Sequence, residues 1–215
     1  MKQLLRLGRS GPGVVALVLA AHPLSAQSAD QGTLLIRAGA REVGTETFRI
    51  RADSGALRVT AHAVYGARAG TDLTATVDRT RDAELAFQLD RRGGPRAGQI
   101  YAVQKRNRIT VRRVERGAEQ ASELPGGPRT ALLADSVFSI FYQLVPLAGE
   151  SGPINVVFPQ GTRRLSLTLE RVTSGAGILI RFHGGLEGEI ELGNRGEVLR
   201  IHLSSLGLEA VRKPE

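Results

Sequence analysis

The chain has 215 residues, no cysteine and no tryptophan, and a formal net charge of +8 from 29 Lys and Arg against 21 Asp and Glu. The missing cysteines exclude disulfides, thiolate metal sites and the lipid-anchoring route of bacterial lipoproteins. Dispersed arginines and an aromatic content of 4% exclude a nucleic-acid reader, which needs a basic track and rings for base stacking.

Residues 1–26 read as a cleavable secretory signal peptide. Lys2, Arg6 and Arg9 make a basic start, residues 14–21 (VVALVLAA) a short apolar core, and Pro23, Leu24, Ser25 and Ala26 a small-residue exit. The apolar run is far below the roughly 20 residues that cross a bilayer. A periplasmic or secreted protein is expected, with residues 27–215 as one β-rich domain. Three of the cations stand in the leader, which leaves +5 on those residues.

Residues 27–31 read as a polar leader. Residues 33–38 and 42–51 then form a hairpin around Gly39 and Ala40, pairing Arg37 with Glu42 and Ile36 with Val43. A second turn at residues 53–55 sets Ile50 opposite Val59 and Phe48 opposite Ala61. One face then holds Phe48, Ile50, Ala52, Leu57, Val59 and Ala61, and the other Arg49, Arg51, Arg58, Thr60 and His62. Further strands are predicted over residues 73–77, 85–89, 100–103 and 109–114. Residues 91–98 (RRGGPRAG) form a polar, Gly-rich turn, and residues 117–129 the longest connection.

Residues 130–147 (TALLADSVFSIFYQLVPL) differ from all this. Leu133, Val137, Ile140, Phe141 and Leu144 recur at helical spacing, Asp135 or Ser136 can cap the start, and Pro146 ends the run. Six more strands follow, over residues 154–158, 165–169, 178–182, 186–192, 198–203 and 208–211. Two β-meanders joined through one apolar helix are therefore expected. The fold class is mainly β, a large curved antiparallel sheet or incomplete β-barrel with one main short helix.

The late meander concentrates chemistry. A three-residue loop at residues 184–186 sets Arg181 opposite Glu189 and Ile180 opposite Ile190; a turn centred on Asn194 and Arg195 sets Glu189 opposite Arg200 and Glu187 opposite His202. The row is then a charged outer face, its opposite charges paired across strands. The alternative is a two-histidine, one-carboxylate metal site of His183, Glu187 and His202 serving a metal-dependent enzyme. No nucleophile elbow, phosphate loop or dinucleotide fingerprint is present, and no cofactor is expected.

Residues 41–50 (REVGTETFRI), 131–144 (ALLADSVFSIFYQL) and 188–203 (GEIELGNRGEVLRIHL) resemble those of exported bacterial β-proteins. Their layout is similar to the curved-sheet fold of lipoprotein-localisation factors, a resemblance that implies a half-open barrel cradling acyl chains under a helical lid. The leading expectation is a non-enzymatic envelope module holding an apolar or amphipathic, lipid-like ligand against Phe138, Phe141, Tyr142 and Leu144. A structural or interaction protein, meeting an anionic membrane surface through its basic charge, is the further alternative.

Overall fold

The structure is a computed structural model that describes residues 28–53, 55–66, 70–94, 96–175 and 177–214; the expected signal peptide lies outside them. Eight strands come first: β1 (Ser28–Ala38), β2 (Arg41–Asp53), β3 (Ala56–Tyr65), β4 (Thr71–Arg79), β5 (Leu85–Arg92), β6 (Gly98–Lys105), β7 (Arg108–Glu115) and β8 (Ala118–Pro125). After β9 (Thr130–Leu132) come a 3-10 turn (Ser139–Gln143) and one α-helical turn, α1 (Leu144–Leu147). The chain closes with β10 (Ile154–Phe158), β11 (Arg163–Ser174), β12 (Gly177–Gly184), β13 (Gly188–Leu192), β14 (Val198–Leu203) and β15 (Leu208–Arg212).

All fifteen strands belong to one sheet, which runs from β8 back to β1, crosses to β15 and continues back to β9. The first and last strands of the domain are thus neighbours in mid-sheet, paired from Leu34–Arg212 to Ala38–Leu208. Every pairing is antiparallel except β9 with β10. A parallel pair cannot be closed by a tight turn and needs a long crossover. The segment with the 3-10 turn and α1 is that crossover, which is why this helical segment stands where it does.

The sheet is strongly curved without closing into a barrel. Strands lie about 4.8 Å apart, so the eleven steps from β5 to β9 span roughly 50 Å on a flat sheet, yet β5 and β9 touch. The 3-10 turn packs on both β3 and β14 from inside the curve. Phe138, Phe141, Ile140 and Leu144 are fully buried there among Ile50, Val59, Ile180 and Ile201, and the Phe141 ring stacks on Phe182 with centroids 6.1 Å apart. Among the described residues no helix is long and apolar enough to cross a membrane.

Several predicted registers hold. Ile50 faces Val59 and Phe48 faces Ala61; Ile180 faces Ile190 and Arg181 faces Glu189. Four readings change. The strand β1 starts at Ser28, so residues 28–31 are paired chain rather than leader. A bulge between Ile36 and Arg37 keeps Arg37 opposite Glu42 but sets Ile36 opposite Gly44 instead of Val43. A Cβ at position 44 would lie 2.5 Å from the Val64 carbonyl oxygen, so only glycine fits. The connection after β7 contains β8, an edge strand exposed on both faces and carrying Glu119 and Glu123 against Arg112 and Arg108. A short charged edge resists pairing with stray chains.

The fourth change is the β13–β14 register. Glu189 faces His202, Ile190 faces Ile201 and Glu191 faces Arg200. Gly193 N–H closes a wider turn on the Glu197 carbonyl at 2.9 Å, with Gly196 at φ +81°, and a bulge follows between Glu191 and Leu192. The slip is two residues, so each side chain keeps its face.

Candidate binding cavity

Alternation on β2, β4, β5, β6 and β7 gives each strand an inward row of apolar residues that ends in a polar one. On β2, Phe48 and Ile50 continue to Glu46; on β4, Leu73, Ala75 and Val77 continue to Arg79; on β6, Ile100 and Ala102 continue to Gln104. Most of these polar groups anchor the segment of residues 126–143. The buried Glu46 carboxylate accepts the backbone N–H groups of Phe138 and Ser139 at 2.6 and 2.8 Å. Arg79 donates to the carbonyls of Pro128 and Thr130, and Gln104 to that of Gly127 at 2.8 Å. The Tyr65 hydroxyl donates to the Ser136 carbonyl at 2.7 Å. Burial raises the Glu46 pKa against the pull of its two backbone donors, and burial lowers that of Arg79.

Beside this anchored segment the sheet leaves an open-sided cavity of about 650 Å³. Its floor is apolar, with the buried side chains of Leu73, Leu89, Ala134 and Val137. Its rim is polar, with Tyr65, Thr71, Arg91, Arg96 and Asp135. The Asp135 charge is taken by Arg163 at 2.6 Å, whose guanidinium lies over the Phe158 ring. A second hollow of similar volume lies at the opposite end of the β3–β4 pair, among Arg51, Asp53, Arg58, Asp78 and Arg81. That one is more open and is bordered chiefly by exposed charges, with Ala56 and Leu57 as its apolar residues. The first is more enclosed and has four buried apolar residues in its floor, so it is the candidate site.

The expected ligand residues do not line it. Phe138, Phe141, Tyr142 and Leu144 are buried in the core, Tyr142 being the most exposed of them at 8%, and none borders the cavity. They plug the curved sheet. The expected side-chain cap also differs: neither Asp135 nor Ser136 caps the helical segment, and Pro146 lies within α1 rather than ending it. In the late meander, His183, Glu187 and His202 border one surface hollow of about 370 Å³. The register slip puts His202 opposite Glu189 instead of Glu187, and among the described residues no three His, Asp or Glu side chains are grouped to hold a metal. The row is a charged surface face in which Arg200 reaches Glu189, Glu191 and Glu209.

Much of the remaining arginine is likewise paired: Arg58 with Asp78, Arg108 with Glu123 and Arg112 with Glu119 across strands, and Arg129 with Glu150 between two loops. Arg91 differs. It continues the inward row of Leu85, Phe87 and Leu89, a position the Gly-rich turn expected at residues 91–98 had hidden. No family model, curated protein or solved structure matches the chain, so the cavity's own chemistry is the guide to its use.

Proposed function

We propose that this chain is a non-enzymatic binding module of the bacterial envelope, exported by residues 1–26, that holds an apolar or amphipathic ligand inside its curved sheet. The observation that carries the reading is the cavity of about 650 Å³ with an apolar floor and a polar rim. Ligand sites bury small molecules in spaces of about 300–1,000 Å³, lined by hydrocarbon with a few polar groups to orient the guest. The open, curved sheet supports the same reading, because it leaves room for a guest beside its short helical segment. The ligand site then moves from Phe138 and its neighbours to Leu73, Leu89, Ala134 and Val137.

The test is direct. Purified protein is extracted with organic solvent for mass spectrometry, then stripped and titrated with the fluorescent apolar probe N-phenyl-1-naphthylamine. Saturable binding at one site is expected, weakened at least ten-fold by Thr71→Phe, which fills the rim from a half-exposed strand position. No co-purifying amphiphile and no saturable probe binding would refute the reading.

A further inference from the structure

The inward row of β5 ends in a cation at the cavity rim, directly across from Leu73 of the cavity floor in the β4–β5 register. The other inward polar groups of this region tie down a neighbouring segment: Glu46, Arg79 and Gln104 as described, and Arg113 through the Gln160 carbonyl at 3.3 Å. The Arg91 guanidinium donates from Nη1 to the carbonyl of Arg96, in its own turn, at 3.3 Å. It feels the charges of Glu115 and Asp135 and forms an ion pair with neither, and Asp135 is already held by Arg163. Partial burial lowers the Arg91 pKa, yet a guanidinium stays charged at any ordinary pH. Arg96 adds a second cation on the same rim.

The Arg91 guanidinium borders the open cavity with its Nη1 bonded to the Arg96 carbonyl, and its planar fork matches a carboxylate or phosphate with two parallel hydrogen bonds. The apolar floor beside it asks for hydrocarbon. We propose that the cavity selects amphiphiles with an oxyanion head, the anion held by Arg91 and Arg96 and the chain laid over Leu73, Leu89 and Val137. This rests on the binding-module reading and sharpens it by naming the ligand class.

The experiment displaces N-phenyl-1-naphthylamine from wild type, Arg91→Met and Arg91→Lys with four twelve-carbon ligands: dodecanoate, dodecyl phosphate, dodecanol and dodecyltrimethylammonium. Wild type should bind the two anions at least about ten-fold more tightly than the alcohol, since charge-assisted bidentate bonds exceed neutral ones by that margin. Arg91→Met should shrink the preference for the anions over dodecanol, measured within that variant, to the part that Arg96 alone can supply, and Arg91→Lys should retain more of it. Whether dodecanoate or dodecyl phosphate binds more tightly tells a free acid from a phosphate-bearing lipid. Equal binding of all four heads, a cation preference, or an Arg91→Met variant that favours anions as strongly as wild type would overturn the oxyanion assignment and leave the cavity standing. Failure of the probe itself to bind wild type would overturn both readings. Unchanged thermal melting of Arg91→Lys guards against loss of fold.

Discussion

Glu46 and Phe138 lie 92 residues apart and meet inside the sheet, where the carboxylate accepts the Phe138 backbone N–H at 2.6 Å. The same carboxylate takes the Ser139 N–H at 2.8 Å, and the 3-10 turn has no cap from its own neighbouring side chains. A strand residue from the first meander thus does the work that a local Ser or Asp usually does for a helix start. Replacing Glu46 with Ala leaves two buried N–H groups unsatisfied, at about 1–3 kcal/mol each, offset in part by removal of a buried charge. A net loss of about 2 kcal/mol is expected in urea denaturation. A variant as stable as wild type would show that the cap contributes nothing.

The pH dependence of that contact has a definite sign. Burial raises the Glu46 pKa above its ordinary 4.5, so between 4.5 and the raised value the folded state holds a proton that the unfolded state has released. Stability from this group is therefore complete below 4.5 and is lost as pH rises through the folded pKa. Urea midpoints of wild type should fall relative to those of Glu46→Gln as pH is raised above 4.5. Parallel profiles for the two proteins would contradict the assignment.

Arg79 serves the neighbouring stretch. It is buried, and its guanidinium donates to the carbonyls of Pro128 and Thr130 just before and within β9. Arg79→Met keeps much of the volume but strands those two acceptors, so a cost of about 1–3 kcal/mol is expected. The loss should be local as well as global. The Leu133 amide, which donates to Val157 beside this anchor at 2.9 Å, should exchange its hydrogen faster in the variant. Unaltered exchange there would mean that β9 is held by its pairing with β10 alone.

The parts of the fold legible in the sequence are those where apolar alternation fixes the answer. The β2–β3 and β12–β13 registers follow from keeping Ile50 with Val59 and Ile180 with Ile190 on one face. The strand β8 was hidden because AEQASELP buries almost nothing; its only signal is charge, with acids spaced to meet Arg108 and Arg112 of β7. The helical spacing of residues 133–144 marks a buried segment correctly but overstates its helix, because Leu133 still bonds to Val157 beside β10, Ala134 bridges Val137, and helical bonding starts only at Ser139, where Glu46 caps it. Glu46 and Arg91 were readable in principle. Extending the rows of Phe48 and Leu89 by one more alternate residue places both inside, but a charged side chain there looks like the end of a strand until its partner is known.

Arg200 makes the outer face of the late meander testable. Its guanidinium is one-third exposed and reaches Glu189, Glu191 and Glu209 on the two neighbouring strands. One exposed pair gives about 0–1 kcal/mol, but here a single cation separates three carboxylates that otherwise repel one another across strands. Arg200→Ala should therefore cost more than an isolated pair, about 1–2 kcal/mol at low salt by that reasoning. Glu119→Ala, which breaks the exposed pair with Arg112 on the edge strand, should cost measurably less than Arg200→Ala. Raising the salt to about 0.5 M should shrink the Arg200→Ala penalty, because screening acts on the carboxylate repulsion. Equal costs for the two variants, or a penalty indifferent to salt, would mean that the three glutamates do not share Arg200 in solution.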